Sequence, residues 1–171
     1  MIRSEKKIKE LSEILNKDNN IDITKAIELL RQEKPFEGAI GLLTAFYDQT
    51  SDFAVRKSIA GFMNDLKDQT ACEEVIIEIR KNWQPDTTSM LVSSCWQSGL
   101  SYSGYSTDLA RIFLIGDYVT AIECLTVIEE SVHELSKEEK SEIIKLLEEG
   151  TPSANDEKKA LILELFSILD R

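Results

Sequence analysis

The residues of this chain that could carry chemistry are few: one histidine, His133, three cysteines, Cys72, Cys95 and Cys124, and the serine-rich stretch SCWQSGLSYSGYSTDL from Ser94 to Leu109. A nucleophilic serine on a strained elbow needs a Gly-x-Ser-x-Gly turn after a strand. Gly104-Tyr105-Ser106-Thr107-Asp108 begins that way but ends in aspartate, and no strand pattern precedes it. The three cysteines and the histidine would suit a Cys3His zinc site, yet their separations of 23, 29 and 9 residues include no close cysteine pair. Glu130 and His133 have Glu-x-x-His spacing, but a di-iron bundle needs two such pairs and the chain has one histidine. A Cys-His nucleophile lacks a local motif. The expectation is no catalytic residue, no metal and no cofactor.

The remaining candidates point the same way. Gly38, Gly41 and Gly61 fall within helical patterns and read as sites of close helix packing, not as a phosphate-binding loop. The doublets Glu73-Glu74, Glu129-Glu130, Glu138-Glu139 and Glu148-Glu149 place neighbours about 100° apart on a helix, which suits solvated faces better than a paired acid and base. Ser98, Gly99, Ser103 and Gly104 read as a helix stop and a turn, with Ser106 or Thr107 capping the next helix. Trp96, Tyr102 and Tyr105 lie beside Asp108 in this turn. They are either packing between helices or an aromatic anchor for a peptide or basic protein surface, and they are the candidate partner-binding residues.

The elements that must position these residues are helices. In DFAVRKSIAGFMNDL, Val55, Ile59, Phe62 and Leu66 form one stripe at i, i+4, i+7 and i+11. Thr70 and Glu73 have capping-box spacing ahead of Cys72, Val75, Ile76, Ile79 and Trp83. Pro35 suits the first turn of a helix carrying Phe36, Ile40, Leu43 and Tyr47. Ser136 and Glu139 repeat the capping box, and Asp117 follows Gly116 as an N-cap after a C-terminal glycine. The spacing predicts helices over 3–16, 22–33, 35–48, 52–66, 71–82, 87–98, 105–115, 118–132, 137–149 and 154–169. The Asp18-Asn19-Asn20 connection is the most relaxed, and no linker separates domains. A single all-α domain over 1–171 is expected.

The formal charge is −11. Residues 1–34 carry eight basic and seven acidic side chains, 35–117 six and eleven, and 118–171 six and thirteen. An acidic field of this kind repels phosphate backbones and favours basic partners. The odd, scattered cysteines argue against a disulfide framework. No segment approaches the roughly 20 apolar residues of a membrane span. These features lead to the expectation of a soluble, cytoplasmic protein that binds neither nucleic acid nor membrane.

Asp52, Asp86, Asp117 and Asp156 stand 34, 31 and 39 residues apart, the scale of a repeated two-helix unit. The segment D-F-A-V-R-K-S-I-A-G-F, with Asp52, Val55, Arg56, Ala60 and Phe62, resembles the second-helix signature of HEAT repeats. The match weakens at Asp117, where Val119 is kept but Thr120 replaces the arginine. The resemblance covers about residues 35–169. It implies an α-α superhelix, a short solenoid of about five antiparallel hairpins, and a structural role for Asp52 and Arg56 in linking neighbouring repeats.

Stacked hairpins build extended recognition surfaces. The expected function is therefore a non-catalytic interaction module that holds a protein or peptide on its concave face. A sharper alternative is an acidic inhibitor or immunity-like protein masking a basic enzyme. A third is a HEAT-like DNA glycosylase, which the net charge disfavours.

Overall fold

A computed structural model describes residues 1–17, 19–33 and 35–170. Asp18, within the expected relaxed connection, lies outside them. Among the described residues there are ten α-helices and no strand. The chain divides into two compact units, Met1–Leu100 and Ser101–Arg171.

The first unit holds α1 (Glu5–Leu15), α2 (Asn20–Arg31), α3 (Ala39–Gln49), α4 (Phe53–Asn64), α5 (Ala71–Ile79) and α6 (Pro85–Gln97). Consecutive helices pair as α1·α2, α3·α4 and α5·α6. Each helix also packs on the next but one: α1 on α3 on α5, and α2 on α4 on α6. Polar ties between next-but-one helices fix their direction. Asn20 Nδ2 donates to Asp52 Oδ2 at 2.8 Å, Ser58 Oγ donates to Glu28 Oε1 at 3.1 Å, and the Arg31 guanidinium pairs with Asp65. The residue numbers rise together along α2 and α4, so these helices run parallel. Asn64 Nδ2 donates to Gln97 Oε1 at 2.6 Å, continuing the relation to α6.

An apolar stripe on each helix drives this stacking. The stripe Val55, Ile59, Phe62 and Leu66 is buried, as are Cys72, Val75, Ile76 and Ile79 on α5. Each large aliphatic side chain so buried contributes about 1.5–3 kcal/mol. Glycine allows the closest approaches: a Cβ on Gly41 would stand 2.9 Å from Glu78 Oε1, and one on Gly61 3.3 Å from Arg31 Nη1.

Several local expectations are corrected. Pro35 and Phe36 precede α3 rather than opening it, because Gly38 turns the chain at φ +95° and is the N-cap, outside the helix. Thr70 is the N-cap of α5 without a side-chain cap bond. Its hydroxyl donates to Asp68 Oδ1 at 2.7 Å and accepts from the Met1 amino terminus at 2.9 Å. Trp83 lies beyond the end of α5, half-buried, with Nε1 donating to the Glu78 carbonyl at 2.9 Å.

The second unit holds α7 (Ser106–Ile115), α8 (Tyr118–Ser131), α9 (Lys137–Gly150) and α10 (Asp156–Leu169). Here α7 packs on α8 and α9, and α10 on α8 and α9. Asp117 caps α8 by accepting from Thr120 N at 2.8 Å, and Ser136 with Glu139 forms the expected capping box on α9. A one-turn 3-10 segment, Ser103–Tyr105, leads into α7. Neither Ser106 nor Thr107 caps that helix, since Ser106 is already its first residue and its hydroxyl donates back to Ser103 O at 2.9 Å. Of the four spaced aspartates, Asp52 and Asp117 are N-caps. Asp86 and Asp156 sit inside the first turns of α6 and α10.

Candidate functional site

The serine-rich turn spends its hydroxyls internally. Ser98 Oγ donates to Cys95 O at 3.1 Å, and Ser101 Oγ to Glu134 Oε2 at 2.7 Å. Hydroxyls from Ser101 and then Ser103 hold the Glu134 carboxyl below its ordinary range. Gly99 supplies a left-handed turn at φ +68°. Buried hydroxyls donating to carbonyls terminate helices and are not poised as nucleophiles.

Trp96 is half-buried in the last turn of α6, in the first unit. Tyr102, Tyr105 and Asp108 belong to the second. The Tyr102 and Tyr105 rings are tilted against each other with centroids 6.4 Å apart. Tyr105 and Asp108 are half-buried, whereas Tyr102 is 1% exposed. Burial removes Tyr102 from any partner-facing role, because a ring packed at that depth cannot touch a partner without opening the fold.

His133 is exposed just past the end of α8, and all three cysteines are buried. Burial pushes the Cys124 thiol strongly upward, away from thiolate character. Among the described residues no cluster of histidine, cysteine and carboxylates could hold a metal ion.

Asp52 and Arg56, the residues that carry the HEAT resemblance, both tie helix pairs together in the first unit. Asp52 caps α4 through Val55 N at 2.9 Å while its other oxygen accepts from Asn20 at the start of α2. Arg56 lies over the Tyr47 ring, 4.1 Å from its centroid, and reaches Asp86 on α6 at 3.6 Å.

A surface the sequence did not single out lies between α2 and the start of α4. Ile23 and Ile27 bury one side of α2, while Ile21 and Leu29 stand exposed on the other, Leu29 at 63%. They line a groove of about 770 Å³ with Ala54 on the α4 side. Phe53, between the lining residues Asp52 and Ala54 in sequence, is 80% exposed. The groove also presents Lys25 and two carboxylates, Glu28 and Asp52, both fixed by hydrogen bonds to neighbouring helices. A rigid concave surface with apolar walls and a few placed polar groups is the form binding sites take. The signal in the sequence was the second apolar pair, Ile21 and Leu29, about 80° apart around the helix and set off from the Ile23 and Ile27 stripe.

Compared with protein-family models, with curated proteins and with solved structures, the chain gives no match.

Proposed function

We propose that this protein is a non-catalytic interaction module, a HEAT-like stack of hairpins that holds a protein or peptide on the outer face of α2, α4 and α6 in its first unit. The groove between α2 and α4 carries this reading. Exposed Ile21 and Leu29 give it apolar walls of a kind that a folded chain does not ordinarily leave to water without a use. Within the first unit the stacking of α2 on α4 and α4 on α6 supports the repeat architecture, since each pair there adds a helix to the same face. Soluble, cytoplasmic operation is part of the same proposal; among the described residues no helix is long and apolar enough to cross a membrane.

The test is a peptide-display selection against the intact protein, with counter-selection on an Ile21→Asp, Leu29→Asp variant. Enrichment of apolar peptides that the variant no longer holds supports the module. Absence of enrichment, or peptides that the variant holds equally well, sinks the groove as its binding surface.

A second reading, an acidic inhibitor that masks a basic enzyme, is favoured by the charge of the second unit, where residues 101–171 carry fifteen acidic and seven basic side chains. Long-range attraction of this kind acts mainly on the association rate. A rate insensitive to added salt removes it.

A further inference from the structure

The face built by α2 and the start of α4 differs in charge from the chain as a whole. Against a formal −11 for the protein, residues 19–33 and 50–57 together hold four basic side chains, Lys25, Arg31, Arg56 and Lys57, and four acidic ones, Asp22, Glu28, Glu33 and Asp52. Two copies that repel each other at long range meet no net repulsion on this face. The second unit, with fifteen acidic and seven basic side chains, would oppose itself.

The same face carries a projection beside a recess. Phe53 opens α4 and is 80% exposed, while its neighbours Asp52 and Ala54 line the groove with Ile21 and Leu29 of α2. At about 770 Å³ the groove has room for an aromatic side chain. Lys25, also in the lining, is exposed and has no ion pair among the described residues. Glu28 is already paired with Arg31. Asp52 accepts from the Val55 amide and from Asn20, and among the described residues it has no cationic partner. The face thus offers an apolar projection with its receptor, and a free cation with a carboxylate that lacks one. In a two-fold contact whatever one copy offers the other offers too, so such a face is complementary to itself.

We infer that two copies of this chain dock through this face, the Phe53 of each entering the groove of the other and the Lys25 of each meeting the Asp52 of the other. This rests on the interaction-module reading and names the protein that the groove holds. Charge selects the occupant: a strongly basic or strongly acidic partner gains nothing from a balanced face, and an anionic membrane or nucleic acid is repelled by the chain as a whole.

The contact uses a few side chains from each copy and belongs to the weak end of interfaces. Sedimentation of the intact protein is therefore run from about 10 μM to 1 mM, where such contacts dissociate, and a monomer–dimer equilibrium is expected. Leu29→Asp and, separately, Phe53→Asp should each raise the dissociation constant about tenfold or more. Both should keep the fold: Leu29 is exposed, and an aspartate in place of Phe53 stands in the first turn of α4, where the helix dipole favours an anion. Lys25→Glu should weaken the dimer about threefold. Ile115→Asp, at an equally exposed apolar position in the second unit, should leave it unchanged.

A protein that stays monomeric at the top of this range overturns the inference. A dimer that survives both Leu29→Asp and Phe53→Asp, or that dissolves with Ile115→Asp, overturns it as well. If the monomeric protein still holds selected peptides that Leu29→Asp loses, only the second copy falls as occupant and the module reading stands. If it holds none, both fall. Selected peptides that displace the dimer support both.

Discussion

The Glu74 carboxylate closes the start of α3 from one hairpin further along the chain. Both of its oxygens accept from the Gly38 amide at 3.1 Å, and Oε1 accepts from the Gly41 amide at 3.2 Å. An anion there satisfies orphan donors and the positive end of the helix dipole together. Replacing Glu74 by alanine should destabilise the first unit by about 1–2 kcal/mol, and by glutamine less. Urea unfolding followed by circular dichroism measures both, and equal losses for the two variants would assign the effect to packing instead of charge.

Gly41 and Gly104 form a contrasting pair. A Cβ at Gly41 meets Glu78 Oε1 at 2.9 Å, and Glu78 is buried, whereas nothing lies within 4 Å of a Cβ at Gly104. Gly41→Ala should therefore cost about 1–3 kcal/mol by overpacking. Gly104→Ala should be neutral or slightly stabilising. Thermal melts of the two variants check the ordering.

Tyr102 and Leu29 separate core from surface. Tyr102→Ala leaves a cavity and should cost about 3 kcal/mol or more. Leu29→Asp, on an exposed position, should change stability by about 0.5 kcal/mol or less while removing peptide binding at the groove. A folded, binding-deficient Leu29 variant beside a destabilised Tyr102 variant is the expected outcome.

Three carboxyls of the second unit are held below their ordinary values: Asp117 by Thr120, Glu134 by Ser101 and Ser103, and Glu139 by Ser136. A carboxyl whose folded pKa is depressed contributes stability that is present above its unfolded value. That contribution is lost as pH falls through the folded value. Melting temperature should accordingly fall below about pH 4.5, the ordinary glutamate value, and continue to fall below 3.8, that of aspartate. Asp117→Asn should flatten the lower part of the curve, and a melt series from pH 6 to 3 reads it directly.

Helix class and stripe were legible because they depend on spacing within a few residues: Val55, Ile59, Phe62 and Leu66 are buried as their period requires. Asp117 and Ser136 were legible as caps because a short side chain reaches a backbone amide three residues on. Pro35 misled, since proline marks a permitted helix start without requiring one, and the positive φ at Gly38 sets the boundary later. The cap on α3 was hidden because Glu74 is 36 residues from Gly38. The aromatic turn drew interest by composition, yet composition does not say which side of a ring faces water, and Tyr102 faces inward. The outer face of α2 carried a signal in its second apolar pair, Ile21 and Leu29, obscured by the stronger core stripe beside it.

Lys158 shows how such ties work in the second unit. Its ammonium, whose pKa burial pushes down, donates to the carbonyls of Leu114, at 3.0 Å, and Gly116, closing the end of α7 from within α10. In the first unit the ties reach similarly short distances along the chain, 32 residues from Asn20 to Asp52, 34 from Arg31 to Asp65 and 33 from Asn64 to Gln97. Each of these is available as soon as one more hairpin has formed, so none of them demands the entropy of closing a long loop at once. A chain wired in this way acquires structure by extension from a formed pair to the next, at the high rates typical of proteins whose contacts are local.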